Sequence, residues 1–321
     1  MMVGHAMLAF AVATAVTARW WSRERALTFG IAAAAFAAVP DVDMLYAVFG
    51  LVQVGFAGVW TMTDAFWESS HVVHRAVTHS LVVGVIAAVA FAASVVDRDH
   101  ATGRWSWLVA ASLVAGLTAV AFFESGLLGG MVMLAFLVAG VGVAVVASRS
   151  TDLGPRKLLA AALVGLLSHP FGDVFTGGPP QFLYPLDFQL LTERVVLLSD
   201  PTLNLLAVFG VELATIWLAG SVYLHATDRR ILSHVDTRAA FGVAYAIAAV
   251  AMPAPTMEVS YHFVFSILAV AVVGVAPNLL PSRSVLSAEW GDAVTWVMTG
   301  LSAVSIAALT YTLVYVLSPF P

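Results

Sequence analysis

Three imidazoles and a guanidinium fall within ten residues, His71-Val72-Val73-His74-Arg75-Ala76-Val77-Thr78-His79-Ser80, immediately before an apolar run that begins at Leu81. Neutral imidazole nitrogens ligate divalent metals, and a guanidinium matches the oxygens of phosphate or carboxylate. Three distant places offer partners: His5, the pair Asp41 and Asp43, and the pair His169 and Asp173. His169 and Asp173 are four apart, hence on one helical face a turn from each other, which suits two side chains reaching one ion. Pro170 between them opens the helix locally. Asp41 and Asp43 do not share a helix face, but in a turn segment both can address one site. His5, Asp41, Asp43, His74, His79, His169 and Asp173 make seven candidate ligands without a thiolate. A catalytic zinc takes about three protein ligands plus water, so seven point to two ions. Zinc is the first choice, with manganese or iron compatible with the same donors. Two ions about 3.5–4 Å apart activate water and stabilise both oxygens of a phosphoryl displacement. Arg75 is expected to face an anionic substrate group and, with Asp43, to form the catalytic pair.

Each of these residues has a plainer reading. Asp41 follows Pro40 at a helix boundary, which is ordinary turn chemistry. Thr78 or Ser80 is a candidate N-cap for the next helix, and the basic cluster at 71–79 would also suit lipid headgroups. His169 alone is an interfacial histidine beside a capping carboxylate, His5 a polar residue at a terminus, and His71 and Ser80 at most support groups. Magnitude favours grouping them. A charge deep in a bilayer costs about 2.5–3.5 kcal/mol, so several left alone would rival the roughly 5–15 kcal/mol that stabilises a protein.

The elements that must position these groups are greasy. The 321-residue chain is 61% hydrophobic and 10% charged, with a mean hydropathy of +0.94. Soluble domains carry about 25% charged residues, so the expected fold class is all-α, a polytopic integral membrane helix bundle. Spans need about 20 apolar residues. Roughly ten segments qualify, near 4–18, 26–40, 79–97, 105–123, 128–147, 157–174, 201–224, 239–256, 259–280 and 293–317. The first, second and sixth are short. Residues 44–60 carry Gly50, Gln53, Gly55 and Gly58 and read as interfacial or re-entrant, and the Gly/Pro-rich 175–200 stretch cannot be one helix. Residues 1–200 are expected to hold the metal site, and 201–321 to be additional spans packed on it. There are no cysteines. Dispersed basic residues exclude a nucleic-acid patch.

Lys and Arg set the expected orientation. Arg19, Arg23 and Arg25, then Arg98 and Arg104, Arg149, Arg156 and Lys157, Arg229, Arg230 and Arg238, and Arg283 all fall in alternate loops. That puts both termini outside and the first span in place as a retained helix, since no basic residue precedes it. On this map His5, the Asp41/Asp43 turn, the His71–His79 cluster and the His169/Asp173 pair all reach the non-cytoplasmic side of a plasma or inner membrane. Glu212, mid-span, is a further suspect, because intramembrane carboxylates are functional candidates.

At Gly4-His5, Pro40-Asp41-Val42-Asp43, His74-Arg75 with Thr78-His79-Ser80, Ser168-His169 with Asp173, Thr176-Gly177 and Tyr184-Pro185-Leu186, the chain resembles the YdjM-type family of inner-membrane metal-dependent hydrolases. That family is distantly similar to the zinc-dependent phospholipase C and P1 nuclease group. The resemblance implies a helical fold, clustered metals and phosphoester hydrolysis, with Thr176 beside Arg75 at the substrate and membrane lipid as a partner. The helical His-x-x-x-Glu pair of the phospholipase group has no counterpart here. Two rivals remain: a metal-ion or proton transporter, which should show paired similar halves, and a structural protein whose metal ties helices together.

Overall fold

The computed structural model describes residues 3–56, 58, 61–62, 65–66, 77–97, 101–275 and 290–317, with the side chains of 45–50, 101 and 290–292 left aside. Among the described residues there is helix and no strand. Six helical stretches are long and apolar enough to cross a membrane: Arg23–Met44, Thr102–Ser150, Pro155–Phe175, Pro201–Ala226, Met257–Gly274 and Ala293–Leu317. The chain divides into two compact units, Met1–Arg194 and Val195–Pro321.

The first unit holds α1 (Gly4–Thr17), α2 (Arg23–Ala38), a 3-10 segment Pro40–Tyr46 running into α3 (Ala47–Val54), α4 (Leu81–Ser94), α5 (Ala101–Ser150) and α6 (Pro155–Gly172), which ends in a 3-10 turn Asp173–Phe175. Polar residues set the starts. Ser22 caps α2 by accepting from Arg25 N, and Ser80 caps α4 by accepting from Val82 N and Val83 N. Pro155 opens α6, where its missing N–H costs nothing. At about 1.5 Å per residue, the 14 residues of α1 or α4 reach roughly 21 Å, short of a hydrocarbon core about 30 Å thick. The expected shortness of the second and sixth segments does not hold. The 3-10 turns after α2 and α6 extend them to 22 and 21 residues.

The apolar segments near 105–123 and 128–147 form one continuous run broken only at Gly126 (φ 68, ψ −166). That backbone suits glycine, and the chain reverses there. A Cβ on Gly130 would lie 3.5 Å from the Cα of Phe122, eight residues back, whereas a straight helix would separate them by about 12 Å. The unit's core joins Phe36, Phe91, Phe136, Met133, Leu137 and Leu158. Large apolar side chains such as Ile31, Val138 and Val146 point outward, as lipid-facing surfaces require. Residues 176–200 are irregular, as expected. At 47–54 a helix of eight residues stands where an interfacial element was expected, ending at Gly55.

The second unit holds α7 (Pro201–Ala226), a 3-10 stretch Thr237–Tyr245 continued by α8 (Ala246–Ala251), α9 (Ser260–Ala269) and α10 (Trp290–Leu317). Asp200 caps α7 by accepting from Leu203 N at 2.8 Å. The core packs Leu205, Phe209, Phe263, Ile267, Val304 and Tyr311. The expected span near 239–256 is a distorted helix of 15 residues, Thr237–Ala251, shorter than a full crossing.

Candidate metal centre

Chain direction alternates through the first unit, and one end of it collects polar side chains. α1 begins there with His5 in its first turn, and α2 ends there on the turn carrying Asp41 and Asp43. The approach to α4 supplies Thr78, His79 and Ser80, and α6 ends there with His169 and Asp173. Asp41, His79, His169 and Asp173 each offer one atom, and the four atoms lie within 4.8 Å of one another. His79 Nε2 is 3.1 Å from Asp173 Oδ2 and 3.9 Å from Asp41 Oδ1. His169 Nε2 is 3.7 Å from Asp173 Oδ2 and 3.6 Å from Asp41 Oδ1. The two Nε2 atoms are 3.0 Å apart. The side chains of His79, His169 and Asp173 are at most 1% exposed, and that of Asp41 is 28% exposed.

The second nitrogen of each histidine shows which way the lone pairs point. His169 Nδ1 lies 2.6 Å from the carbonyl oxygen of Ala37. A carbonyl only accepts, so Nδ1 carries the proton and Nε2 presents its lone pair to the site. His79 Nδ1 meets the Thr78 hydroxyl at 2.9 Å, and that hydroxyl donates to Asp43 Oδ2 at 2.9 Å. Two imidazole lone pairs and two carboxylate oxygens therefore converge on one space, a donor set able to hold a metal ion. The spacing fits one. Ion–ligand distances of about 2.0–2.1 Å give tetrahedral edges of about 3.3–3.4 Å; the separations that involve a histidine nitrogen run from 3.0 to 3.9 Å around that value, and the whole set lies within 4.8 Å.

The remaining expected site residues fall into place individually. His5 is buried, with Nε2 3.3 Å from Asp173 Oδ1 and its ring 4.1 Å from that of His169. Asp173 thus presents one oxygen to the four-residue group and the other to His5. Asp43 is not one of the four residues of this group. Its Oδ2 sits 3.6 Å from His79 Nδ1, on the far side of the ring from Nε2. Ser80, expected at most to support the site, donates to the carbonyls of Tyr184 (2.8 Å) and Phe182 (3.2 Å) while capping α4. It pins the 180–186 loop beside His79. Thr176 follows Asp173, its N–H donating to the Asp173 carbonyl at 3.2 Å. Glu212 lies in α7 of the second unit and outside this group. His71, His74 and Arg75 lie outside the described residues.

Two contributors had no place in the expected site. The Ala37 carbonyl has no side-chain signal at all. Thr78 did have one, a hydroxyl next to a candidate ligand, but capping explained it equally well.

Residues 1–122 match the YdjM inner membrane protein family. The matched YdjM region contains His5, Asp41, Asp43, Thr78 and His79, and stops before His169 and Asp173. No curated protein and no solved structure matches the chain. The YdjM match and the apolar helices make this a multi-pass membrane protein with a buried His/Asp cluster able to hold a metal ion.

Proposed function

We propose that the protein is a membrane-embedded, metal-dependent hydrolase of phosphoesters, acting at the non-cytoplasmic headgroup level on a phospholipid or lipid-linked substrate. One observation carries the reading: four lone-pair donors converge within 4.8 Å, three of them buried and one, Asp41, open to approach. A structural site uses four protein ligands and a catalytic one three plus an open position, and Asp41, partly exposed and 3.6–3.9 Å from the histidine nitrogens, is the ligand placed to give way to water or substrate. Zinc suits the donors, with manganese or iron as alternatives. A second ion would take Asp173 and His5 among its ligands, since their Oδ1 and Nε2 lie 3.3 Å apart beside the first group. Divalent ions held by these residues would supply Lewis acidity and a means of activating water. Asp173 and the histidines hold the ions, Arg75 takes a phosphate oxygen, and Thr176 contacts the same substrate. A lipid substrate is supported by the loop that Ser80 pins beside His79, which exposes Leu186, Phe188 and Leu190. The resemblance to the phospholipase C and P1 nuclease group drawn from the sequence motifs would imply the same chemistry, and the alternation of basic loops supports the orientation.

The test is metal analysis of the purified protein together with a screen of phosphoester and phospholipid substrates. His79→Ala and Asp173→Ala should lose both metal and turnover while keeping their helical circular dichroism. Loss of metal with no substrate ever turned over would favour a helix-tying metal. Metal-dependent flux into proteoliposomes would favour a transporter.

A further inference from the structure

We propose that Thr78 is a positioning residue for the metal centre: its hydroxyl links Asp43 to His79 and fixes which ring nitrogen of His79 faces the ion. The inference rests on the metal-binding reading above and concerns a residue that coordinates nothing itself.

A threonine hydroxyl has one proton. Asp43 Oδ2, 2.9 Å away, is an acceptor and takes it. Toward His79 Nδ1, also at 2.9 Å, the same oxygen can then only accept. The proton between them therefore belongs to Nδ1, and Nε2 carries the lone pair that meets Asp41, His169 and Asp173. Asp43 cannot do this alone, because its Oδ2 lies 3.6 Å from Nδ1, beyond a good hydrogen bond. Thr78 fills that gap. Thr78, His79 and Asp43 are all buried, so water does not compete for these bonds. His169 obtains the same tautomer from the Ala37 carbonyl, so each histidine is held from behind by an acceptor of different origin. Outer partners of this kind orient a ligating ring, and their loss typically costs about 10–100-fold in metal affinity.

The experiment uses the full-length protein in detergent, with zinc affinity measured by competition against a chromophoric chelator. Thr78→Val keeps the shape and removes the hydroxyl; Thr78→Ser keeps the hydroxyl and removes the methyl. Thr78→Val should bind zinc at least about 10-fold more weakly, and Thr78→Ser should stay close to wild type. Thr78→Val combined with Asp43→Asn should lose no more than the weaker of the two single variants, because both break one chain of bonds. Wild-type affinity in Thr78→Val, equal losses in Val and Ser variants, or additive losses in the double variant would each overturn the proposal. A separate readout needs no metal. Nitrogen-15 spectra of the metal-free protein, with the His79 signal assigned by its absence in His79→Ala, should show the ring proton on Nδ1. A ring protonated on Nε2 alone overturns the role of Thr78, whereas a protein that binds no zinc yet shows Nδ1–H refutes only the metal reading.

Discussion

Gly165→Ala should damage the metal centre without touching any polar residue. Gly165 lies on α6 one turn before His169, against α2. A Cβ there would fall 2.4 Å from the Ala33 carbonyl oxygen and 2.6 Å from the Ala37 nitrogen. Both obstacles are backbone, so neither can rotate away. Ordinary contact begins near 3.4 Å, so α2 and α6 must part locally by about 1 Å in an interior that is close-packed. The same separation acts on the bond from His169 Nδ1 to the Ala37 carbonyl, now 2.6 Å. It also acts on the 3.6 Å approach of His169 Nε2 to Asp41, which hangs from the end of α2. Metal sites tolerate about 0.2 Å in ligand distance. The displacement is about five times that tolerance, so zinc affinity should fall by 10-fold or more. Overpacking alone should cost about 1–3 kcal/mol of stability. Gly84→Ala is the control, because a Cβ on Gly84 meets Leu166 at an ordinary 3.5 Å. Both variants would be measured by chelator competition and thermal unfolding. If Gly165→Ala binds zinc as Gly84→Ala does, the reasoning that helix contact sets the ligand geometry is wrong.

Three further outcomes follow from the same geometry. Asp173→Ala should lose at least 10-fold more metal affinity than Asp41→Ala in the same competition assay, because Asp173 is buried and addresses both His79 and His5, while Asp41 is 28% exposed and stands 3.6–3.9 Å from the histidine nitrogens. Removing metal with a chelator should lower the midpoint of thermal unfolding, since an ion held at 100 times its dissociation constant contributes about 2.7 kcal/mol; an unchanged midpoint would mean that no ion was bound. Ser80→Ala should destabilise by about 2 kcal/mol or more in thermal unfolding, because it removes a helix cap and leaves the Tyr184 carbonyl without its donor; Ser22→Ala, an exposed cap with a 3.4 Å bond, should cost less than about 1 kcal/mol.

What the sequence made legible follows from which forces are local. Hydropathy marks each apolar stretch by itself, so the helices and the irregular 176–200 segment are readable from the sequence alone. The i,i+4 spacing of His169 and Asp173 likewise survives, because the backbone stays helical through Pro170 and into the 3-10 turn that begins at Asp173. Facts that depend on approach between chain segments were not legible. Nothing in Ala33-Ala34-Ala35-Phe36-Ala37 announces that one carbonyl will orient a histidine 132 residues later. Asp41 and Asp43 look equivalent as letters. The 3-10 turn separates them, sending one carboxylate to the Nε2 side of His79 and the other to the Nδ1 side. The reversal at Gly126 was readable only as a gap between two apolar segments, because a glycine signals permission to turn rather than a turn.

The position of the cluster also bears on what the ion is for. A carrier places its cargo site near the bilayer midplane, at interrupted helices between similar halves, so that rocking can expose it to either side. Here every described ligand hangs from a helix terminus: the first turn of α1, the turn after α2, the cap before α4 and the last turn of α6. All four termini belong to one end of one unit, and exposure enters through a single ligand, Asp41. An ion cannot pass between α2 and α6 at Gly165, where the two backbones are too close for a methyl group. A rigid seat with one open side suits an ion that stays and a substrate that comes to it. Exchange kinetics would separate the cases: a resident ion should leave purified protein far more slowly than a transport cycle allows, and rapid exchange of labelled zinc would count against hydrolysis.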